Sequence, residues 1–147
     1  MGLLYPDGES GLLTLCSDEL PLKGDPVQDM VAVLNRYLAG PALSSQWLPF
    51  PQGCELRSLY ELDPHTVVVD LTGPVSSGGG STVEMARVYG VIDTLHWNFP
   101  HVSGVQILVD GRQVQTLLGH VDVSKPLPAD PLMVEPGLRT KFAGLGS

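Results

Sequence analysis

Ser76-Ser77-Gly78-Gly79-Gly80-Ser81-Thr82-Val83-Glu84 separates the most strand-like segment of this chain from its longest helical one. Before it, Thr66-Val67-Val68-Val69-Asp70-Leu71 is rich in β-branched residues, which suit a pleated surface. After it, apolar residues recur at helical spacing until Pro100 stops the run. Three consecutive glycines reach backbone conformations closed to other residues, at an entropic cost. They deliver the chain to Ser81, spaced from Glu84 as a capping box requires. The expectation is a strand, a flexible turn and a capped helix over residues 81–98. Its apolar stripe is Met85, Val88, Tyr89, Ile92, Leu95 and His96, continued by Phe99.

Towards the N-terminus, Glu55 to Leu62 reads as a strand with Leu56, Tyr60 and Leu62 on one side. Asp63-Pro64-His65 is a tight turn that makes it the antiparallel partner of the β-branched run. An earlier helix is opened by Asp25 as cap and Pro26 at the first position, and closed by Gly40-Pro41. Val27, Met30, Val31, Leu34, Tyr37 and Leu38 form its apolar face, with Gln28, Asp29, Asn35 and Arg36 away from it. Leu3 to Tyr5 and Leu12 to Leu20 read as extended segments around the turn residues Pro6 to Gly11. Residues 42–53 form an irregular connection from which Trp47 and Phe50 fold back as a lid on the core.

Towards the C-terminus, Val105 to Val109 is a strand, Asp110-Gly111 a strong two-residue hairpin signal and Gln113 to Leu118 the return strand. Beyond Gly119 come Pro126, Pro128, Pro131 and Pro136, with no helical or strand period. An ordered tail of this kind wraps its own domain, packs on a second copy or is pinned by lattice contacts. The chain therefore divides into a domain over residues 1–127 and a Pro-rich C-terminal extension over residues 128–147. The order of elements gives the α+β class: two helices packed on one face of a mostly antiparallel sheet, a two-layer sandwich. Each helix shows one apolar stripe and is expected to cover the sheet rather than to be enclosed.

With 147 residues, 43% of them hydrophobic, the chain is long enough for one domain with a real core. Its 8 basic and 16 acidic residues leave a net charge of −8, a field that repels phosphate backbones and anionic bilayers. Nucleic acid is thus excluded as a partner. No apolar stretch approaches the roughly 20 residues of a membrane helix, and no signal peptide is visible. Met1-Gly2 is either a natural start or a boundary with a signal or anchor upstream. Cys16 and Cys54 read as two separate small buried thiols, pairing only if the fold brings them together.

Gly78, Gly79, Gly80, Ser81 and Thr82 are the candidate ligand-binding residues. Backbone N–H groups at a helix start form an anion site. The loop holds no Lys, as a P-loop needs, and lacks the G-x-G-x-x-G spacing of dinucleotide sites. Glu84 at the third helical position would compete with an anion, so a structural turn outweighs a binding site. His65 lies in a turn, His96 near a helix end, and neither pairs usefully with His101 or His120; no metal or cofactor is expected. Gly119-His120 reads as a conformational feature. Ser77, Ser81, Cys16 and Cys54 are available nucleophiles, yet no Gly-x-Ser-x-Gly elbow is present. Asp70 and Asp110 read as edge and turn residues, not as an acid–base couple. Trp47, Trp97 and Phe99 are candidates for an exposed apolar patch.

Taken in order, several pieces resemble the GerMN domain, a sporulation and spore-germination family of bacteria. They are Leu4-Tyr5-Pro6-Asp7, Gly24-Asp25-Pro26, Leu38-Ala39-Gly40-Pro41, Val67-Val68-Val69-Asp70-Leu71 and Gly78-Gly79-Gly80-Ser81-Thr82-Val83-Glu84. Val105-Gln106-Ile107-Leu108-Val109-Asp110-Gly111, Gly119-His120 and Val123-Ser124-Lys125-Pro126-Leu127 complete the set. The resemblance spans about residues 3 to 127. It implies a ring-building-motif-like fold, no catalytic residues and no cofactor. It also implies a non-enzymatic cell-envelope interaction or assembly module, often in lipoproteins or membrane-anchored proteins. The partners implied are itself, as a homo-oligomer, or envelope proteins, with peptidoglycan as a further ligand. The implied location is extracytoplasmic, with anchoring through a segment not present here. The alternative is a small anion- or glycan-binding domain that uses the glycine loop.

Overall fold

The computed structural model describes residues 1–145. The β-branched run forms β4 (Thr66–Thr72) in a four-stranded sheet, with β3 (Glu55–Asp63) antiparallel beside it through the expected turn. On its other side β5 (Gly104–Val109) runs parallel, from Gly104 opposite Thr66 to Val109 opposite Leu71. The helix after the glycine loop, α2 (Ser81–Asn98), is the crossover between them. The sheet is therefore mixed, because a parallel pair needs a long connection and α2 supplies it. β6 is only Arg112–Gln113, reached through Asp110 and Gly111 at φ +51° and +75°. Positive φ at both positions is the type I′ geometry favoured by strand twist. The expected return strand to Leu118 ends early because Leu127 takes the rest of the β5 edge, exchanging two 2.9 Å backbone bonds with Val105.

β1 (Gly2–Pro6) and β2 (Leu13–Ser17) form a separate antiparallel pair. Its β1 edge is satisfied by side chains of α2, not by another strand. Leu4 N–H donates to Thr94 Oγ1 (3.0 Å), Gly2 N–H to Asn98 Oδ1 (2.9 Å), and Asn98 Nδ2 returns a bond to Gly2 O (2.7 Å). This contact overturns the expectation that α2 covers the sheet with one stripe. Ala86, Arg87, Gly90, Val91, Asp93 and Thr94 are buried along with Val88, Ile92, Leu95 and His96, while Met85 is exposed. The helix is enclosed because its polar side is itself a surface for the strand edge.

The first helix, α1 (Pro26–Leu38), is capped by Asp25, whose carboxylate accepts Gln28 N–H. Its Asp29, read as solvent-facing, is buried and accepts the N–H groups of Lys23 and Gly24 at 2.8 and 3.0 Å. Tyr37 stacks on Tyr5 with ring centroids 4.7 Å apart, and Phe50 meets Tyr37 edge-on at 6.4 Å. Phe50 is thus the lid expected of it, whereas Trp47 stays about one-third exposed (36%) and outside the core. In β3, register breaks at Leu56/Ser58 and Glu61/Asp63 shift the parity. Leu59 consequently faces the core, and Tyr60 and Leu62 face outward.

The tail packs on its own chain. Two 3₁₀ turns, Pro131–Met133 and Pro136–Leu138, lead into α3 (Arg139–Leu145). Leu4, Leu13, Val134 and Phe142 form a small second core on the side of the β1–β2 pair opposite the main one. Strand alternation explains the division, since Leu3 and Tyr5 point into the main core and Leu4 away from it.

At Gly90 α2 leaves room for the ring of Tyr37 from α1. A Cβ there would lie 2.1 Å from Tyr37 Oη and 3.2 Å from its Cζ. Gly90→Ala is expected to destabilise by about 1–3 kcal/mol through overpacking, despite the better helix propensity of alanine. In a Tyr37→Phe background the cost should shrink, because the nearest atom is gone. Urea unfolding of the four proteins of this cycle measures the coupling.

Candidate functional site

Gly78 and Gly79 both have left-handed backbones, at φ +74° and +78°. They turn the chain so that Gly80, extended, occupies the N-cap of α2. No side chain caps the helix. The expected Ser81–Glu84 capping box is therefore absent, and the reason lies in where Glu84 points. Its fully buried carboxylate accepts the N–H groups of His120 and Val121 at 2.8 Å each, and that of Leu118. Successive backbone amides there form a concavity for an anion, and Glu84 fills it from within the chain. Gly119, at φ +102°, makes the turn possible, which bears out a conformational role for Gly119-His120.

The five candidate residues Gly78, Gly79, Gly80, Ser81 and Thr82 lie together and exposed. With Glu84 engaged elsewhere, the amides of Ser81, Thr82 and Val83 have no protein partner among the described residues. Beneath the loop lies Arg87, 3% exposed. Its Nε donates to Pro49 O (2.6 Å) and Nη1 to Val75 O (2.9 Å), so it ties residues 47–54 to residues 73–80. Nη2 approaches to 4.0 Å from where a Gly78 Cβ would stand. No carboxylate forms an ion pair with Arg87; among the described residues the pairs are Arg36–Asp18 and Arg57–Asp70. Burial pushes its pKa down, and the nearby Cys54 and Glu84 groups pull the other way. Sequence reading missed Arg87 because a basic residue one position off an apolar stripe looks solvated.

The other candidates are dispersed. His65 sits in its turn with Nδ1 3.0 Å from His101 O, and His96 Nδ1–H donates to Val102 O (2.7 Å). Cys16 is in the core and Cys54 lines an apolar cleft of about 310 Å³ with Leu38, Leu48 and Phe50; both are free thiols. Burial raises the Cys54 pKa, which weakens it as a nucleophile. Asp70 is not a solvated edge residue. It is buried, paired with Arg57 Nη1 at 2.5 Å and accepting Gly111 N–H at 2.8 Å. Asp110 accepts the Thr72 hydroxyl. Trp47, Trp97 and Phe99 do not form one patch, since Phe99 is in the main core and Trp97 lies under Phe142 and Lys141. Among the described residues, no three of His, Cys, Asp or Glu are grouped to hold a metal ion.

Asp93 is a second polar residue missed from sequence. It is fully buried on α2, where Oδ1 accepts Asp130 N–H (3.0 Å) at the start of the tail and Oδ2 has no partner. Burial raises its pKa to about 8, opposed by that hydrogen bond and reinforced by the Asp130 charge.

A hairpin beside a βαβ crossover, with a glycine loop opening an enclosed helix, defines an α+β domain of the GerMN type. The family model described as Sporulation and spore germination (Germane) matches residues 6–115, and the chain belongs to this family. Solved structures with the same fold include a candidate lipoprotein from Clostridium perfringens. It is 22% identical with a TM-score of 0.62, over 87% of this chain and 85% of that one. The tandem GerMN domains of the sporulation protein GerM from Bacillus subtilis are 17% identical with a TM-score of 0.64. That match takes 88% of this chain but 45% of the tandem pair, so the chain spans about half of it. The first GerMN domain of GerM alone is 14% identical with a TM-score of 0.62, over 87% of this chain and 97% of that one. No curated protein matches the chain.

Two outcomes follow from these buried carboxylates. Glu84→Ala strands three amides, at least two of them at full bond length, and is expected to cost about 3–5 kcal/mol in chemical denaturation. Amide exchange should accelerate at Leu118, His120 and Val121, with Glu84→Gln intermediate. For Asp93, the folded protein keeps a proton that the unfolded chain releases between pH 3.8 and about 8. Its contribution is fully present below that window and is lost as pH rises, with a slope of up to about 1.4 kcal/mol per pH unit. Asp93→Asn should flatten the stability–pH curve between pH 5 and 8, as read from urea midpoints.

Proposed function

We propose that this domain is a non-enzymatic assembly module of the bacterial cell envelope, acting outside the cytoplasm by self-association or by docking on an envelope partner. The observation that carries this reading is the use made of its buried polar groups. Glu84, Arg87, Asp70 and Asp93 each bind backbone or a neighbouring side chain of the same chain, and none of them is among the residues lining the cleft at Cys54. A catalytic site leaves such groups directed at a substrate; a scaffold spends them on fixing loops. Membership of a sporulation and germination family supports the reading, as does the candidate lipoprotein with the same fold. Anchoring would come through a segment outside this sequence, as no helix among the described residues is long and apolar enough to cross a membrane.

One observation favours a second reading, a small anion- or glycan-binding domain at Gly78–Thr82. Glu84 does not block the free amides of α2, and the Arg87 charge lies beneath them. The two readings separate in solution. Sedimentation of the full chain should show a concentration-dependent oligomer for the assembly module, or co-sedimentation with isolated envelope. A strict monomer at high concentration that ignores envelope would overturn it. Titration with inorganic phosphate or peptidoglycan fragments should shift the amide resonances of residues 78–82 if the loop binds; unchanged resonances remove that reading.

A further inference from the structure

We propose that the outer face of the β1–β2 pair is a peptide-binding groove, filled in cis by this chain's residues 130–142 and in trans by the same residues of a second copy. The proposal rests on the self-association reading above and supplies its means.

The groove is built like a receptor for an extended segment. β2 offers an open edge, and Leu13 O accepts Glu135 N–H at 2.9 Å while Val134 pairs with Leu13 in parallel. Backbone pairing at a sheet edge gives affinity, and pockets for alternate side chains give selectivity. Two pockets are present. Val134 is fully buried against Leu4 and Leu13. Eight residues on, Phe142 is buried with its ring 5.6 Å from Trp97 and 5.7 Å from His96. Lys141 places its ammonium 3.8 Å over the Trp97 ring, a cation–π contact that selects a basic residue beside the aromatic one.

Between the two anchors Pro136, Gly137 and Thr140 are exposed, and Leu132 before them is 68% exposed. Met133 and Leu138 are half-buried beside the anchors, so the segment lies along the body on one side and leaves the other to solvent, as a bound peptide does. Its attachment is narrow. Leu127 is fixed by Val105 and Asp130 by Asp93, leaving the exposed Pro128 and the half-buried Ala129 as the link. A short link that opens outward carries the segment off its own groove and onto a neighbour's, with every contact reproduced. In cis the tail acts at an effective concentration of the order of millimolar, so exchange is favoured when chains are crowded or when the cis anchors are weakened.

The test is a labelled peptide of residues 129–145 titrated into full-length chains, read by fluorescence anisotropy. The wild-type chain should bind weakly, because its own tail competes. Phe142→Ala in the chain weakens the cis tail and should tighten peptide binding by about tenfold or more. Lys141→Glu is a milder variant for the same purpose, and circular dichroism reports whether each chain is folded. A peptide carrying Val134→Asp and Phe142→Asp should not bind, a control that does not depend on folding of the chain. Absence of binding to a folded Phe142→Ala or Lys141→Glu chain overturns the groove. Peptide binding by a chain that stays strictly monomeric in light scattering overturns the second copy as occupant. An oligomer that persists unchanged in the Phe142→Ala chain overturns the tail as its means while leaving self-association standing.

Discussion

A helix enclosed on every side can carry polar residues only where each is met by a partner, and α2 is held to that constraint along most of its length. Glu84 meets the amides of residues 118–121, Arg87 the carbonyls of Pro49 and Val75, and Asp93 the amide of Asp130. Thr94 and Asn98 meet the edge of β1. Each of these bonds fixes a segment that has no regular structure to fix it, or a strand with no neighbouring strand on that edge. The helix is thus a spine from which the loops and the N-terminal hairpin are hung. Desolvated polar groups without partners would be costly, which makes the set of contacts interdependent.

This economy bears on function. The carboxylates and the guanidinium that would stand out as reactive groups are the ones that shape the domain. The glycine loop, whose first helical amides have no protein partner among the described residues, stays at the surface, while the tail covers the outer face of the β1–β2 pair. Membership of a sporulation and spore-germination family is carried by the fold that the buried groups hold together.

Much of the fold was legible because periodicity survives where one face is wet. β4, α1 with its Asp25 cap, the Asp110-Gly111 turn and the extent of α2 all follow from local pattern and turn chemistry. The failures concern polar residues: sequence reading assigns Asp29 and Asp70 to solvent and gives Arg87, Asp93 and Thr94 no role. All five are buried; Asp29 is met locally by Lys23 and Gly24, whereas Asp70, Arg87, Asp93 and Thr94 meet partners far along the chain and Asp93 Oδ2 has none. Spacing does not reveal such pairs. The capping box failed for the same reason, since a distant amide cluster outcompeted the local one for Glu84. The tail gave no period because its contacts, Val134 and Phe142 with Met133 and Leu138 beside them, follow neither a helical nor a strand repeat. The five loop residues are consecutive and exposed, and the buried arginine beneath the loop had no sequence signal.

The two register breaks in β3 have a consequence for how copies of this domain behave at close quarters. An uninterrupted nine-residue edge is a template on which further chains add strand by strand. Here the pleat is broken at both ends, and Glu55, Arg57, Glu61 and Asp63 line the remainder with charge. The sheet therefore cannot propagate laterally into a ribbon.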